Sequence, residues 1–205
     1  MKALIALLVV IITTPLAAQT TEIGVSVVSQ INNGGGRFVE GEEATASFEN
    51  GSGFGLSLSH AFNPRFSGEL AVFRTSSSAR VDEGSTRIAD LGDLELTHVT
   101  LMARYHFLPG RKVDVFVAGG LAHVSADDLD SADLRALDLA PVSIDSKTVG
   151  TIGGGVVFSV TPRIGISIDA RYIPFAISAR ANGDTENISV DLDPLLIAAG
   201  VKFRF

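Results

Sequence analysis

From Glu22 onward this chain keeps returning to one pattern, stretches of about ten residues in which apolar side chains alternate with small or polar ones. A period of two belongs to a strand that separates two environments, and ten residues is about the length at which a tilted strand crosses a bilayer. Eight such stretches are expected, near Glu22–Gln30, Gly53–Phe62, Phe66–Thr75, Thr97–Phe107, Val113–Val124, Thr148–Val160, Ile164–Ile177 and Leu192–Phe205. An even set of antiparallel strands closes on itself and leaves no unpaired edge in lipid. The fold class predicted is all-β, an eight-stranded antiparallel transmembrane β-barrel with short periplasmic turns and long extracellular loops.

The connections alternate in the same sense. Asn63-Pro64-Arg65, Leu108 to Lys112 and Thr161-Pro162-Arg163 read as tight turns, whereas Ile31–Ser52, Ser76–Leu96, Ser125–Lys147 and Ser178–Asp191 are long. Between Ser125 and Lys147 six Asp stand against Arg135 and Lys147, while the tight turns carry Arg65, Arg111, Lys112 and Arg163. The long acidic connections are assigned to the outside, and both ends of the barrel to the periplasm.

One face of each strand should meet lipid. Alternate residues give Phe54, Leu56, Leu58 and Phe62, then Val99, Leu101, Ala103, Tyr105 and Phe107, then Ile164, Ile166, Ile168 and Tyr172, with no charge among them. Phe62, Phe66, Phe107, Phe158, Phe203 and Phe205 fall beside the tight turns and predict an aromatic girdle, Phe standing in for the absent Trp. A soluble barrel would reverse this pattern, burying the apolar face and wetting the polar one.

Residues 1–18 read as a signal peptide, with Lys2 as the charged start, Ala3 to Ile12 as the apolar core and a cut before Gln19; residues 19–205 are then the barrel. The formal charge of −7 becomes −8 once Lys2 is removed, which excludes the basic face that nucleic acid demands. The chain has no Cys, so disulfides and thiolate metal sites are also excluded. No nucleic-acid partner, cofactor or metal is expected.

Several segments resemble the OmpW family of small outer-membrane proteins. They are Leu101 to Pro109 (LMARYHFLP), Val113 to Ala122 (VDVFVAGGLA), Asp145-Ser146 leading into Gly153–Gly155, Ile168 to Ile173 (IDARYI), and Asp193-Pro194 before the last strand. Lys147 and Leu195 stand where aromatic residues often follow the Asp-Ser and Asp-Pro pairs. The chain's end, Gly200-Val201-Lys202-Phe203-Arg204-Phe205, resembles the C-terminal signal read by the barrel-assembly machinery, with Gly200, Phe203 and Phe205 as its marks. The resemblance implies an eight-stranded barrel with an apolar channel or pocket that handles small hydrophobic molecules.

Parity fixes the inward faces independently of any family. Toward the periplasm they are charged: Glu69, Arg104, His106, Asp114, Asp169, Arg171, Lys202 and Arg204. Toward the outside they are apolar: Val28, Phe73, Val124, Ile173, Phe175, Leu192, Pro194 and Leu196. An eight-stranded barrel barely fits its own side chains, so Glu69, Arg104, Asp169, Arg171 and Lys202 are expected to pair as a polar plug rather than to line an ion path. The upper set, with Phe73, Val124, Ile173, Phe175 and Leu196 as the candidate ligand-binding residues, reads either as an apolar cup or as filling of the barrel mouth. A cup floored by charge would release a hydrophobic ligand sideways, and Pro174 and Pro194 remove ladder donors where such a gap would open.

No catalytic set is expected. Ser59 and His60 are neighbours on one strand and point to opposite faces, and His98 and His106 lie about 26 Å apart at 3.3 Å per residue. Asp127, Asp128, Asp130 and Asp133 lack the glycine and terminal Glu of a calcium loop and read as a solvated acidic loop. Gly51, Gly53 and Gly55 precede a strand rather than a helix, so they are no nucleotide fingerprint. The function expected is a porin-like outer-membrane barrel that binds and translocates small hydrophobic molecules, with outer-membrane lipid, lipopolysaccharide and a hydrophobic ligand as partners. The alternative is a surface interaction protein, an adhesin or a phage or host receptor, acting through its loops.

Overall fold

The computed structural model describes residues 20–32, 35–37, 44–83, 86–127, 143–144, 146–180 and 187–205. The expected signal peptide, Asp128, Asp130 and Asp133, and Asp145 lie outside the described residues. In chain order the strands are β1 (Thr21–Ile31), β2 (Gly35–Arg37), β3 (Ala44–Phe48), β4 (Gly51–Asn63), β5 (Phe66–Glu83), β6 (Thr86–His106), β7 (Val113–Ala126), β8 (Ser143–Ile144), β9 (Lys147–Ser159), β10 (Ile164–Tyr172), β11 (Ala176–Arg180), β12 (Asn187–Asp191) and β13 (Leu195–Arg204).

Eight of these close a barrel. The pairing runs β1–β4–β5–β6–β7–β9–β10–β13 and returns to β1, every neighbour antiparallel. Closure satisfies the backbone of each stave on both sides, which lipid requires because it offers no hydrogen bonds of its own. Three tight turns set the register. Asn63 Oδ1 accepts from the amides of Arg65 and Phe66, both at 2.9 Å. Thr161 Oγ1 takes the same role toward Arg163 and Ile164 at 3.2 and 3.0 Å. In the turn between β6 and β7, Gly110 adopts φ of 76°, a conformation that costs a side chain and not a glycine.

The outward face is as expected: Phe54, Leu56, Leu101, Ile166 and Ile168 are exposed, and so are all six girdle phenylalanines. Tyr105 joins that girdle, meeting Phe66 and Phe107 edge-on with ring centroids 5.2 and 5.1 Å apart.

The chain departs from the expected strand limits at the long-loop end. Ser76–Leu96, expected as a loop, is largely the continuation of a β5–β6 hairpin whose pairing reaches Glu83 and Thr86, with register shifts at Ala79/Arg80 and Val81/Asp82. Polar strands pair as well as apolar ones once they leave the bilayer, so the loss of alternation at Ser76 marked the edge of the lipid rather than the end of the strand. The opposite departure occurs in the seventh stretch. Instead of running to Ile177, β10 stops at Tyr172 and 173–175 carry no ladder; on the facing chain 192–194 are likewise irregular and β13 starts at Leu195. Pro174 and Pro194 each lack the amide a ladder would use. The two breaks sit opposite one another and mend each other: Ile173 N donates to Pro194 O at 3.1 Å, Leu192 N to Phe175 O at 2.9 Å, and Phe175 N to Asp193 Oδ1 at 3.1 Å. Asp193 turns the chain there with φ of 38°.

Candidate functional site

The lumen is layered, and each layer follows from which inward positions the register brings level. At the loop end lies an apolar layer: Val28, Ala71, Phe73, Leu94, Leu96, Ala122, Val124, Ile173, Phe175, Leu192, Leu196 and Ala198, with exposures of 0–3%. Among the sequence candidates, Phe73, Val124, Ile173, Phe175 and Leu196 all belong to this one cluster. They pack on one another, so a ligand enters here by displacing side chains rather than by filling a void. Gly55 makes the room: a Cβ there would lie 2.4 Å from Phe73 Cδ1.

Within this layer sits a buried polar trio that parity alone did not single out. Thr75 Oγ1 donates to Gln30 Oε1 at 2.5 Å, and His98 Nε2 lies 3.3 Å from the same oxygen. His98 is fully buried and its Nδ1 has no partner among the described residues.

The next layer is charged. Glu69, with a side chain that is wholly buried, receives Arg104, Arg171 Nη2 at 2.7 Å and Lys202 Nζ at 3.5 Å. Ser59 Oγ adds a further bond at 3.2 Å. Arg171 also reaches Asp169 at 2.9 Å and Thr100 Oγ1 at 3.0 Å. The guanidiniums of Arg104 and Arg171 lie over the rings of Phe116 and Phe73, 4.4 and 4.5 Å from the centroids. The structure therefore places Glu69, Arg104, Asp169, Arg171 and Lys202 in one network, with three cations against two carboxylates. A Cβ on Gly155 would lie 2.6 Å from Asp169 Cβ, so the glycine run in β9 is what lets this wall carry such side chains.

At the short-turn end the lumen widens into a cavity of about 720 Å³, lined among others by Glu22, Ser67, His106, Arg111, Asp114 and Arg204. Arg204 Nε donates to Glu22 Oε1 at 2.5 Å and its Nη1 to Ser159 Oγ at 2.8 Å. Here Ser67 Oγ lies 2.8 Å from His106 Nε2, and His106 Nδ1 lies 2.7 Å from Asp114 Oδ2. Ser59 and His60 do point apart, the first to Glu69 and the second to Thr21 Oγ1 at 3.0 Å.

The wall has one weak seam among the described residues. β9 pairs with β7 along its whole length, up to Val124↔Lys147, but its pairing with β10 ends at Ile152↔Tyr172. Above that pair Thr151 Oγ1 donates to Tyr172 O at 2.9 Å, and no ladder joins 147–151 to 173–175. Pro174 and Pro194 were expected to remove ladder donors where a gap would open. The breaks at the two prolines bridge each other across β10 and β13, and the interruption falls on the β9 side of Pro174.

A family model described as the outer membrane protein beta-barrel domain matches residues 4–205. The chain belongs to this family of outer-membrane β-barrels. Its barrel resides in the outer membrane, in contact with the lipid and lipopolysaccharide of that membrane. The fold is similar to that of OprG from Pseudomonas aeruginosa, at 16% identity over 92% of this chain and 96% of that one, with a TM-score of 0.81. It is similar to AlkL, solved in DMPC bilayers, at 15% identity over 94% and 93% with a TM-score of 0.66. A third likeness is to the Escherichia coli outer membrane protein W, at 19% identity over 90% and 97% with a TM-score of 0.54. Among curated proteins, none matches the sequence.

Proposed function

We propose that this barrel is a transporter of the OmpW type that binds small hydrophobic molecules in its apolar upper lumen and releases them sideways into the membrane. The observation that carries this reading is the split of the lumen. Twelve buried apolar side chains lie directly above a network of five charged ones. A hydrophobic molecule gains by transfer into the upper layer and meets a steep cost at the lower one, so the route down the axis is closed to it. The seam between β9 and 173–175 opens at the level of Ile173 and Phe175, where a ligand held by those side chains reaches the wall. Assembly is assigned to the C-terminal signal Gly200, Phe203 and Phe205, the last two exposed on the outer surface for the assembly machinery to read. No nucleic acid takes part in this reading.

The test is uptake of a labelled long-chain hydrophobic compound into vesicles holding the refolded barrel, native against Phe175→Asp and Leu196→Asp. Uptake faster than in empty vesicles, abolished by both substitutions in folded protein, is the expected result. Equal uptake in all three samples overturns transport and moves the function to the loops, as a surface interaction protein.

A further inference from the structure

The short-turn cavity holds an arrangement that transport does not use. Ser67, His106 and Asp114 come from three successive staves, β5, β6 and β7, and meet because inward residues two positions out of register are diagonal neighbours. Ser67 faces Arg104 across the ladder and His106 faces Phe116; the diagonals bring Ser67 to His106 and His106 to Asp114. The order of atoms matters more than the proximity. Asp114 takes the Nδ1 side at 2.7 Å, which fixes the imidazole with its proton on Nδ1, and leaves Nε2 as an acceptor 2.8 Å from Ser67 Oγ. This is the hydroxyl–imidazole–carboxylate chain that activates a serine nucleophile on unrelated folds, identified by geometry and not by chain order.

We infer that Ser67, His106 and Asp114 form a hydrolytic site for carboxylic esters, open to the short-turn end of the barrel. Ser67 Oγ attacks the ester carbonyl carbon while His106 Nε2 takes the hydroxyl proton. The tetrahedral adduct collapses as the carbon–oxygen bond to the alcohol breaks, and His106 returns the proton to the departing alcohol. Water then adds to the acyl-Ser67 with its proton passing to His106, and the carboxylic acid leaves as Ser67 recovers its proton. Ser67 and His106 are the catalytic residues; Asp114 is a positioning residue that acts through His106. Backbone amides of a closed barrel are spent in the ladder, so charge developing on the carbonyl oxygen is answered by the cations that line the same cavity, Arg111, Lys112 and Arg204.

All three residues line the 720 Å³ cavity, whose other walls include Ala61, Pro109, Val160 and Pro162, an apolar surface for a short acyl chain. The His106 and Asp114 side chains keep 16% and 15% of their surface exposed, unlike Glu69 one layer deeper, which keeps none.

The experiment uses the refolded full chain in micelles, with p-nitrophenyl butyrate as substrate and a fluorophosphonate as a covalent probe. Native protein should hydrolyse the ester above the micelle blank and take the probe at Ser67, located by peptide mass mapping. Ser67→Ala and His106→Gln should each cut the rate by about 10²-fold or more. Asp114→Asn should lower it and move the acidic limb of the pH profile, which a merely structural role would leave in place. No hydrolysis above the blank, an unchanged rate in Ser67→Ala, or probe found only elsewhere each overturns the assignment. Labelling of the native chain decides the matter alone should a variant not fold.

Discussion

The upper and lower halves of the lumen are built on the same staves, with the same parity and the same tight bore, and they hold their shape by opposite means. The upper half is a packed set of apolar side chains around one small hydrogen-bonded trio, Gln30, Thr75 and His98. The lower half is a set of named bonds in which Glu69 alone serves Arg104, Arg171, Lys202 and Ser59. Dispersion between apolar groups depends on volume and tolerates exchange, whereas a charge out of water depends on each partner it has. The difference teaches where this barrel can yield to a ligand and where it cannot.

Three substitutions sharpen that contrast, each read as a shift in urea or guanidinium unfolding of the barrel refolded in vesicles. The largest effect is expected for Glu69→Ala, which leaves three buried cations without their shared carboxylate and should cost about 3–5 kcal/mol. Arg171→Lys keeps the charge but cannot reproduce the bonds to Glu69, Asp169 and Thr100, and should cost about 1.5–3 kcal/mol, the range of one hydrogen bond to a charged group. Leu196→Met in the upper layer conserves volume and should cost less than about 1.5 kcal/mol. Should Leu196→Met prove as costly as Arg171→Lys, the two halves would be equally rigid and the upper layer would lose its standing as the yielding one.

Much of this molecule was legible before its structure. Phe54, Leu56, Leu101, Ile166 and Ile168 faced outward as parity required, and Glu69, Arg104, Asp169, Arg171 and Lys202 faced inward. Two of the features that escaped show why. The extended β5–β6 hairpin was hidden because a strand in water needs no alternation. The Ser67–His106–Asp114 chain was hidden because its members are read off three strands at once, and one residue of error in any turn displaces the match. Aligning the staves from their tight turns would have found it: Ser67 lies two residues past Arg65, and His106 and Asp114 flank the next turn.

The sequence by itself determined the staves, their order, and which side chains meet lipid and which meet one another, because a period of two in a membrane leaves each residue only two places to go. Tertiary structure alone decided heights around the ring. Closure of the barrel brought Glu69 of β5 against Lys202 of β13, while the register between neighbouring staves joined Ser67 to Asp114 through His106 and let the breaks at Pro174 and Pro194 mend each other, leaving the seam beside β9. Such contacts depend on the stagger between strands, which is set by turn geometry and ring closure and written in no single segment.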